Sequence, residues 1–261
     1  MTDYVLPVVY TLFVWWFSTG VIMLLDGLPR PTHRWSLFAS TSIALVALFV
    51  LARGKNDATV TGVYVAFTCA ILIWGWLEMS FLAGFVTGPR RHACVPGCSG
   101  WPHFRHAIEA ILYHELSIIG CACAVFAATW DGANQVGPWT FVVLWSMRVS
   151  AKLNLFLGVR NLSEEFLPPH LAYLQSFFAR RRMNLLFPVA VTVATIVDAL
   201  LIQSAVAPDA SPAQMAGDTL LATLLGLAIL EHWLMVVPVP TAALWKWSLR
   251  GRRASAPAAR P

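Results

Sequence analysis

Apolar residues fill seven long runs separated by short polar breaks, at 4–25, 35–52, 58–87, 105–129, 136–158, 184–207 and 213–243. About 20 apolar residues of helix cross the hydrocarbon core of a bilayer, so each run predicts one transmembrane helix. The runs at 58–87 and 213–243 are longer than that and predict tilt or extension beyond the hydrocarbon. The expected fold class is all-α: a polytopic membrane bundle of about seven transmembrane helices, one domain over 1–247. Between the fifth and sixth runs, 159–183 is too polar to span. Its later part, HLAYLQSFFARRR, puts Leu171, Leu174, Phe177 and Phe178 on one helical face with arginines behind. That pattern predicts a surface amphipathic helix lying on the membrane within a cytoplasmic loop. The closing stretch, RGRRASAPAARP, predicts a disordered cytoplasmic tail over 248–261.

Composition removes the soluble alternative. The chain of 261 residues is 58% hydrophobic and 12% charged, with a mean hydropathy of +0.66. Soluble domains carry about 25% charged residues, so the polar side chains here are too few to cover a water-exposed globule. The opening MTDYVLPVVY has no basic segment and no small-residue cleavage site after it, so the first run is expected to be retained.

Basic residues set the expected orientation. With the C-terminus inside, Arg30, Arg34, Arg90, Arg91, Arg105, Arg160, Arg180, Arg181 and Arg182 face the cytoplasm. They are joined there by Lys246, Arg250, Arg252, Arg253 and Arg260 of the tail, whereas outside loops hold only Arg53 and Lys55. The bias predicts a multi-pass membrane protein with its N-terminus outside and its C-terminus cytoplasmic. It matches a partnership with anionic membrane lipid. Because the basic residues flank spans instead of interleaving with aromatics on a soluble face, nucleic acid is excluded as a partner.

Charged residues inside the runs carry the candidate chemistry. They are Glu78 in the third, Glu109, His114 and Glu115 in the fourth, Arg148 and Lys152 in the fifth, Asp198 in the sixth, and Glu231 and His232 in the seventh. Each such charge costs about 2.5–3.5 kcal/mol at mid-bilayer on insertion scales. All but Asp198 fall in the cytoplasmic halves of their spans, so one polar cluster at a common level is expected. Four carboxylates there oppose two cations, and the excess must be met by protons, protonated histidines or a metal. The cluster thus has three readings: a polar lock between helices, a proton- or pigment-linked site, or a metal site with His114, Glu115, Glu231 and His232 as ligands. The last resembles carboxylate–histidine iron centres in helix bundles, although the Glu-x-x-His spacing of those centres is absent. Iron, and a chlorin held through its magnesium by a histidine, are accordingly the cofactors considered.

Two further stretches stand out. The loop positions Asn161, Glu164, Glu165 and His170 lie just below the cluster, with Pro168 and Pro169 fixing the chain's course. They form either a rigid linker or a lid and docking surface. In CVPGC, Cys94 and Cys98 lie near His92 and His103, but an x3 spacing is a weak zinc signature. The preferred reading is reduced, unpaired thiols in a reducing compartment.

The run KLNLFLGVRNLSEEFLPPHLAYLQSFFARRRMNLLFPV, with WGWLEMSFLAGFVTGPRR and FRHAIEAILYHELSI, resembles the PuhE-type photosynthetic-complex assembly proteins of purple phototrophic bacteria. The resemblance covers most of the chain and implies a seven-helix membrane protein encoded beside the reaction-centre H subunit. It implies a role in assembling the reaction-centre/light-harvesting unit and in modulating bacteriochlorophyll supply, with those subunits or bacteriochlorophyll-synthesis enzymes as partners. It carries no catalytic residues, and the expected function is non-catalytic. The rival expectation is a metal-dependent membrane oxidoreductase acting on a tetrapyrrole or other lipid-soluble substrate at the Glu/His cluster.

Overall fold

A computed structural model of the chain describes residues 2–164 and 167–237. Among the described residues there are seven α-helices long and apolar enough to cross a membrane. They are α1 (Thr2–Asp26), α2 (Arg30–Arg53), α3 (Val60–Leu82), α4 (Gly100–Ala128), α5 (Val136–Leu157), α6 (Leu186–Ala205) and α7 (Pro212–Val236). The expected tail at 248–261, the end of the last run and the basic residues Lys246, Arg250, Arg252, Arg253 and Arg260 lie outside the described residues.

Helices α3 and α7 form the centre. α3 touches α1, α2, α4, α5 and α7, and α7 also packs on α1, α5 and α6. More than half of the apolar window of α3 and half of that of α7 are buried in protein. For α1, α2 and α6 the share is under a fifth. Buried residues follow that arrangement: Trp74, Leu77, Ile118 and Phe141 interlock in one cluster, and Phe67, Leu220 and Leu224 in a second. Apolar burial alone does not favour helix contact over lipid contact, so close packing and inter-helix hydrogen bonds carry the association.

Alternating traversal brings the ends of α1, α3, α5 and α7 and the starts of α2, α4 and α6 to one side of the bundle. Arg30, Arg34, Arg90, Arg91, Arg105, Arg160 and Arg180–Arg182 all lie there, and we call it the basic end.

Two expectations change in detail. The third run stops as a helix at Leu82 and does not continue to 87, because Gly84 takes φ +81°. The amides of Phe85 and Val86 then both donate to Ser80 O, at 3.0 and 3.1 Å, closing the helix end. The amphipathic segment is a 3-10 helix, Pro169–Phe177, and not an α-helix. Its period of three places Leu171, Leu174 and Phe177 in one stripe. That stripe is buried against Phe81 and Ala110, so its apolar face is covered by protein, while Phe178 follows in extended backbone.

Candidate functional site

Rise per residue places the intramembrane charges. At 1.5 Å each, Glu78, Lys152 and Glu231 lie about 6–8 Å from the basic ends of α3, α5 and α7. Helix α4 has 29 residues, about 44 Å, so its first turns project beyond a ~30 Å hydrocarbon core. That puts Glu115 inside the same half and Glu109 near the boundary.

The cluster resolves into pairs. Arg148 Nη2 donates to Glu78 Oε2 at 2.8 Å, joining α5 to α3, and Lys152 Nζ donates to Glu115 Oε1 at 2.5 Å, joining α5 to α4. Glu231 Oε1 accepts from Trp15 Nε1 at 2.9 Å, joining α7 to α1. His232 is buried, with Nδ1 2.8 Å from Ala228 O and Nε2 2.9 Å from Ser150 Oγ. A carbonyl only accepts, so in the neutral ring Nδ1 carries the proton and Nε2 accepts from the serine hydroxyl.

A neutral chain continues from there. Asn154 Nδ2 donates to Ser150 O at 3.0 Å, and Asn184 Nδ2 to Asn154 Oδ1 at 2.9 Å. Asn184 Oδ1 in turn accepts from the amides of Leu186 and Phe187, capping α6. α5 is thus the hub. Residues 148 and 152 lie within about 40° of each other around its axis, while 150 and 154 lie on nearly the opposite side. The cations meet α3 and α4; the hydroxyl and amide meet α7 and the start of α6.

Two expected members behave differently. Glu109 lies apart from the cations of α5, with Oε1 3.3 Å from Arg105 Nε and Oε2 3.7 Å from Arg90 Nη1. The reckoning of four carboxylates against two cations is therefore corrected, because Glu109 has arginines of its own at the basic end. His114 is fully buried, its ring 4.5 Å from that of Phe81, and neither ring nitrogen has a hydrogen-bond partner among the described residues. Its backbone amide donates to Thr87 O at 3.0 Å.

The ligand set His114, Glu115, Glu231 and His232 does not gather. Glu115 is engaged by Lys152 of α5, Glu231 by Trp15 of α1, and His232 by Ser150 of α5 and Ala228 of its own helix, while the His114 ring has no such partner among the described residues. Among the described residues only Cys94, Cys98 and His106 bring metal-ligating atoms together, all within 4.8 Å of one another. Neither His92 nor His103 is among the three; both thiols are unpaired, and each sulfur lies beside the imidazole of His106. His106 Nδ1 lies 3.4 Å from Cys94 Sγ and 3.5 Å from Cys98 Sγ, and His103 Nδ1 lies 3.3 Å from Cys94 Sγ. Contact with Cys94 and burial raise the Cys98 thiol above its usual range, against the pull of Arg90.

The loop residues hold helix ends. Asn161 Nδ2 donates to Leu234 O at 2.7 Å and Val237 O at 2.5 Å, while its amide donates to Met235 O, so it closes the end of α7. His170 Nε2 donates to Leu82 O at 2.8 Å and closes the end of α3. Burial lowers His170 below the usual imidazole range, opposed by that hydrogen bond. Glu164 pairs with Arg180 at 3.2 Å on the surface, and Glu165 lies outside the described residues. Beside His170 an open cleft of about 330 Å³ is lined by Arg30, His33, Thr87, Arg91 and Tyr173 among others. Two guanidiniums beside hydroxyls suit an oxyanion such as a lipid phosphate.

Comparison with known proteins now places the chain. Residues 1–256 match the family described as Protein of unknown function (DUF3623). The chain belongs to the DUF3623 family. It is 41% identical over 243 residues to a Rhodobacter capsulatus protein named as an uncharacterized 30.4 kDa protein in the puhA 5' region, covering 92% of this chain and 88% of that one. No solved structure matches it.

Several residues that hold this DUF3623 protein together escape a reading based on charge. Ser150, Asn154 and Asn184 are uncharged, so insertion cost does not flag them. In RVSAKLN the polar positions recur every second residue, a spacing that on a helix alternates between two faces and was the available signal. By spacing, His106 shares one stripe of α4 with Glu109 and Tyr113, and nothing in that spacing shows that the preceding loop folds back onto it.

Proposed function

We propose that this protein is a non-catalytic membrane factor for assembly of the photosynthetic unit, acting between bacteriochlorophyll supply and the reaction-centre/light-harvesting complex. The observation that carries the reading is the relative in the puhA 5' region, alike over nine-tenths of this chain. A photosynthetic, membrane-associated role accords with that neighbourhood and with seven apolar helices. The pairing of intramembrane polar groups across helices supports a scaffold, since those groups are engaged in holding α5 to α3, α4 and α7. The sparsely covered faces of α1, α2 and α6 offer apolar surface to lipid or to partner helices.

In this reading the protein sits in the inner or intracytoplasmic membrane with its basic end in the cytoplasm. Deletion of the gene in its phototrophic host lowers the near-infrared absorbance of reaction-centre and light-harvesting complexes in membranes, and the intact gene restores it. Affinity purification from mildly solubilised membranes recovers photosynthetic subunits or bacteriochlorophyll-synthesis enzymes. Unchanged pigment–protein levels in the deletion strain, at equal growth, refute the proposal.

A further inference from the structure

We propose that Cys94, Cys98 and His106 form a binding site for one divalent metal ion of the zinc class, at the junction of the α3–α4 connection with the first turns of α4. A tetrahedral zinc ion with bonds of about 2.3 Å to sulfur and 2.0–2.1 Å to nitrogen requires S···N edges of about 3.5–3.6 Å. The two S···N separations at His106 are 3.4 and 3.5 Å, so both have the length of a tetrahedral edge, and the two sulfurs lie within 4.8 Å of each other. Two thiolates and an imidazole suit zinc and its neighbours and are a poor set for magnesium or calcium, which take oxygen ligands.

The backbone supports the arrangement from three sides. Cys98 N donates to Val95 O at 3.0 Å, closing a tight turn that returns Cys98 towards Cys94. Cys94 N donates to Ser176 Oγ at 2.9 Å, tying the loop to the 3-10 helix. His106 stands on α4, whose ridge is fixed by the Glu109 pairs with Arg90 and Arg105. His103 touches Cys94 from beside, its ring stacked on Phe156 and tilted against Phe177, each at 5.5 Å. It is placed to orient the Cys94 sulfur, as outer hydrogen-bond partners do around metals.

Both cysteines are half-buried, so an ion and its chelators have access. Three protein ligands leave a fourth position for water or another donor. The bound ion staples the α3–α4 connection to α4 close to the 3-10 helix.

The test uses the full-length protein, purified in mild detergent without chelators or affinity metals. Elemental analysis gives about one zinc per chain, as three protein ligands around one ion require. A mercurial thiol reagent releases that zinc to an indicator in step with modification of the thiols, a measurement on wild type that needs no variant. Apo-protein titrated with Co²⁺ develops thiolate-to-cobalt charge-transfer bands and the intense visible bands of tetrahedral cobalt. Cys94→Ser/Cys98→Ser loses both signals with helix content unchanged, whereas His232→Ala keeps both. His103→Ala weakens cobalt affinity roughly 10–100-fold, as loss of an outer partner does. Absence of stoichiometric metal together with absence of the cobalt–thiolate band overturns the proposal. So does a Cys94–Cys98 disulfide in the protein as isolated, or zinc retained by the double cysteine variant.

Discussion

The Lys152–Glu115 pair allows the polar lock to be tested quantitatively. At 2.5 Å between nitrogen and oxygen, two unit charges attract by about 7 kcal/mol at an effective dielectric constant of 20. Burying them costs several kcal/mol per ion, so the intact pair nets close to zero against an apolar replacement. Removing one partner is different, because the desolvation cost remains and the attraction is lost. Side-chain exposures of 20% for Lys152 and 23% for Glu115 leave a route to water and moderate the fully buried penalty of about 3–5 kcal/mol. Glu115→Leu should therefore destabilise by about 3 kcal/mol, the larger single effect because Arg148 also bears on the stranded Lys152. Lys152→Met should cost about 2 kcal/mol, and the double variant should return to within about 1 kcal/mol of wild type. Unfolding in mixed micelles with increasing SDS, followed by tryptophan fluorescence, measures all four corners of the cycle. A double variant destabilised by about 5 kcal/mol, the sum of the two singles, would show that the groups act independently and would refute the lock.

Three other outcomes follow from the same contacts. Asn161→Ala removes two side-chain hydrogen bonds to the end of α7 and should cost about 1–2 kcal/mol; Asn161→Asp should cost more by adding negative charge at a helix C-terminus. Hydrogen exchange at 233–237 reads both, and equal effects would deny the cap. For His170, whose folded-state titration lies below the unfolded value of about 6.5, the unfolded chain binds more protons in that window, so stability falls as pH drops below ~6.5 and is constant above. Thermal unfolding against pH should show this dependence, reduced in His170→Gln, which keeps a donor for Leu82 O without titrating. Gly88 passes so close to the α4 backbone that a Cβ would overlap Glu109 and Ala110, while nothing lies near Gly120. Gly88→Ala should destabilise by about 3 kcal/mol, whereas Gly120→Ala, in the interior of α4 with open space around it, should stabilise by up to about 1 kcal/mol, as read in the same SDS titration.

The number, type and rough limits of the helices were legible because each must satisfy its own backbone hydrogen bonds within lipid, a requirement met locally by a long apolar run. The expected depth of the charges comes from counting residues along spans of alternating direction. Partnership was not legible. Glu109 and Glu115 are six residues apart on one helix, yet one meets Arg90 and Arg105 and the other Lys152, because helical rotation and the course of the α3–α4 connection decide which cation each faces. The 3-10 form of Pro169–Phe177 likewise depends on Phe81 and Ala110 being there to receive its stripe.

Linear order determined that this chain spans a membrane and which of its segments carry charge into it. Only the packed bundle decided that α5 joins its neighbours through two opposite polar faces, and that two loop cysteines meet a histidine of α4. Span formation rests on the free energy of moving a segment from water to lipid. Pairing rests on short-range contacts between segments, which no order of residues along one of them contains.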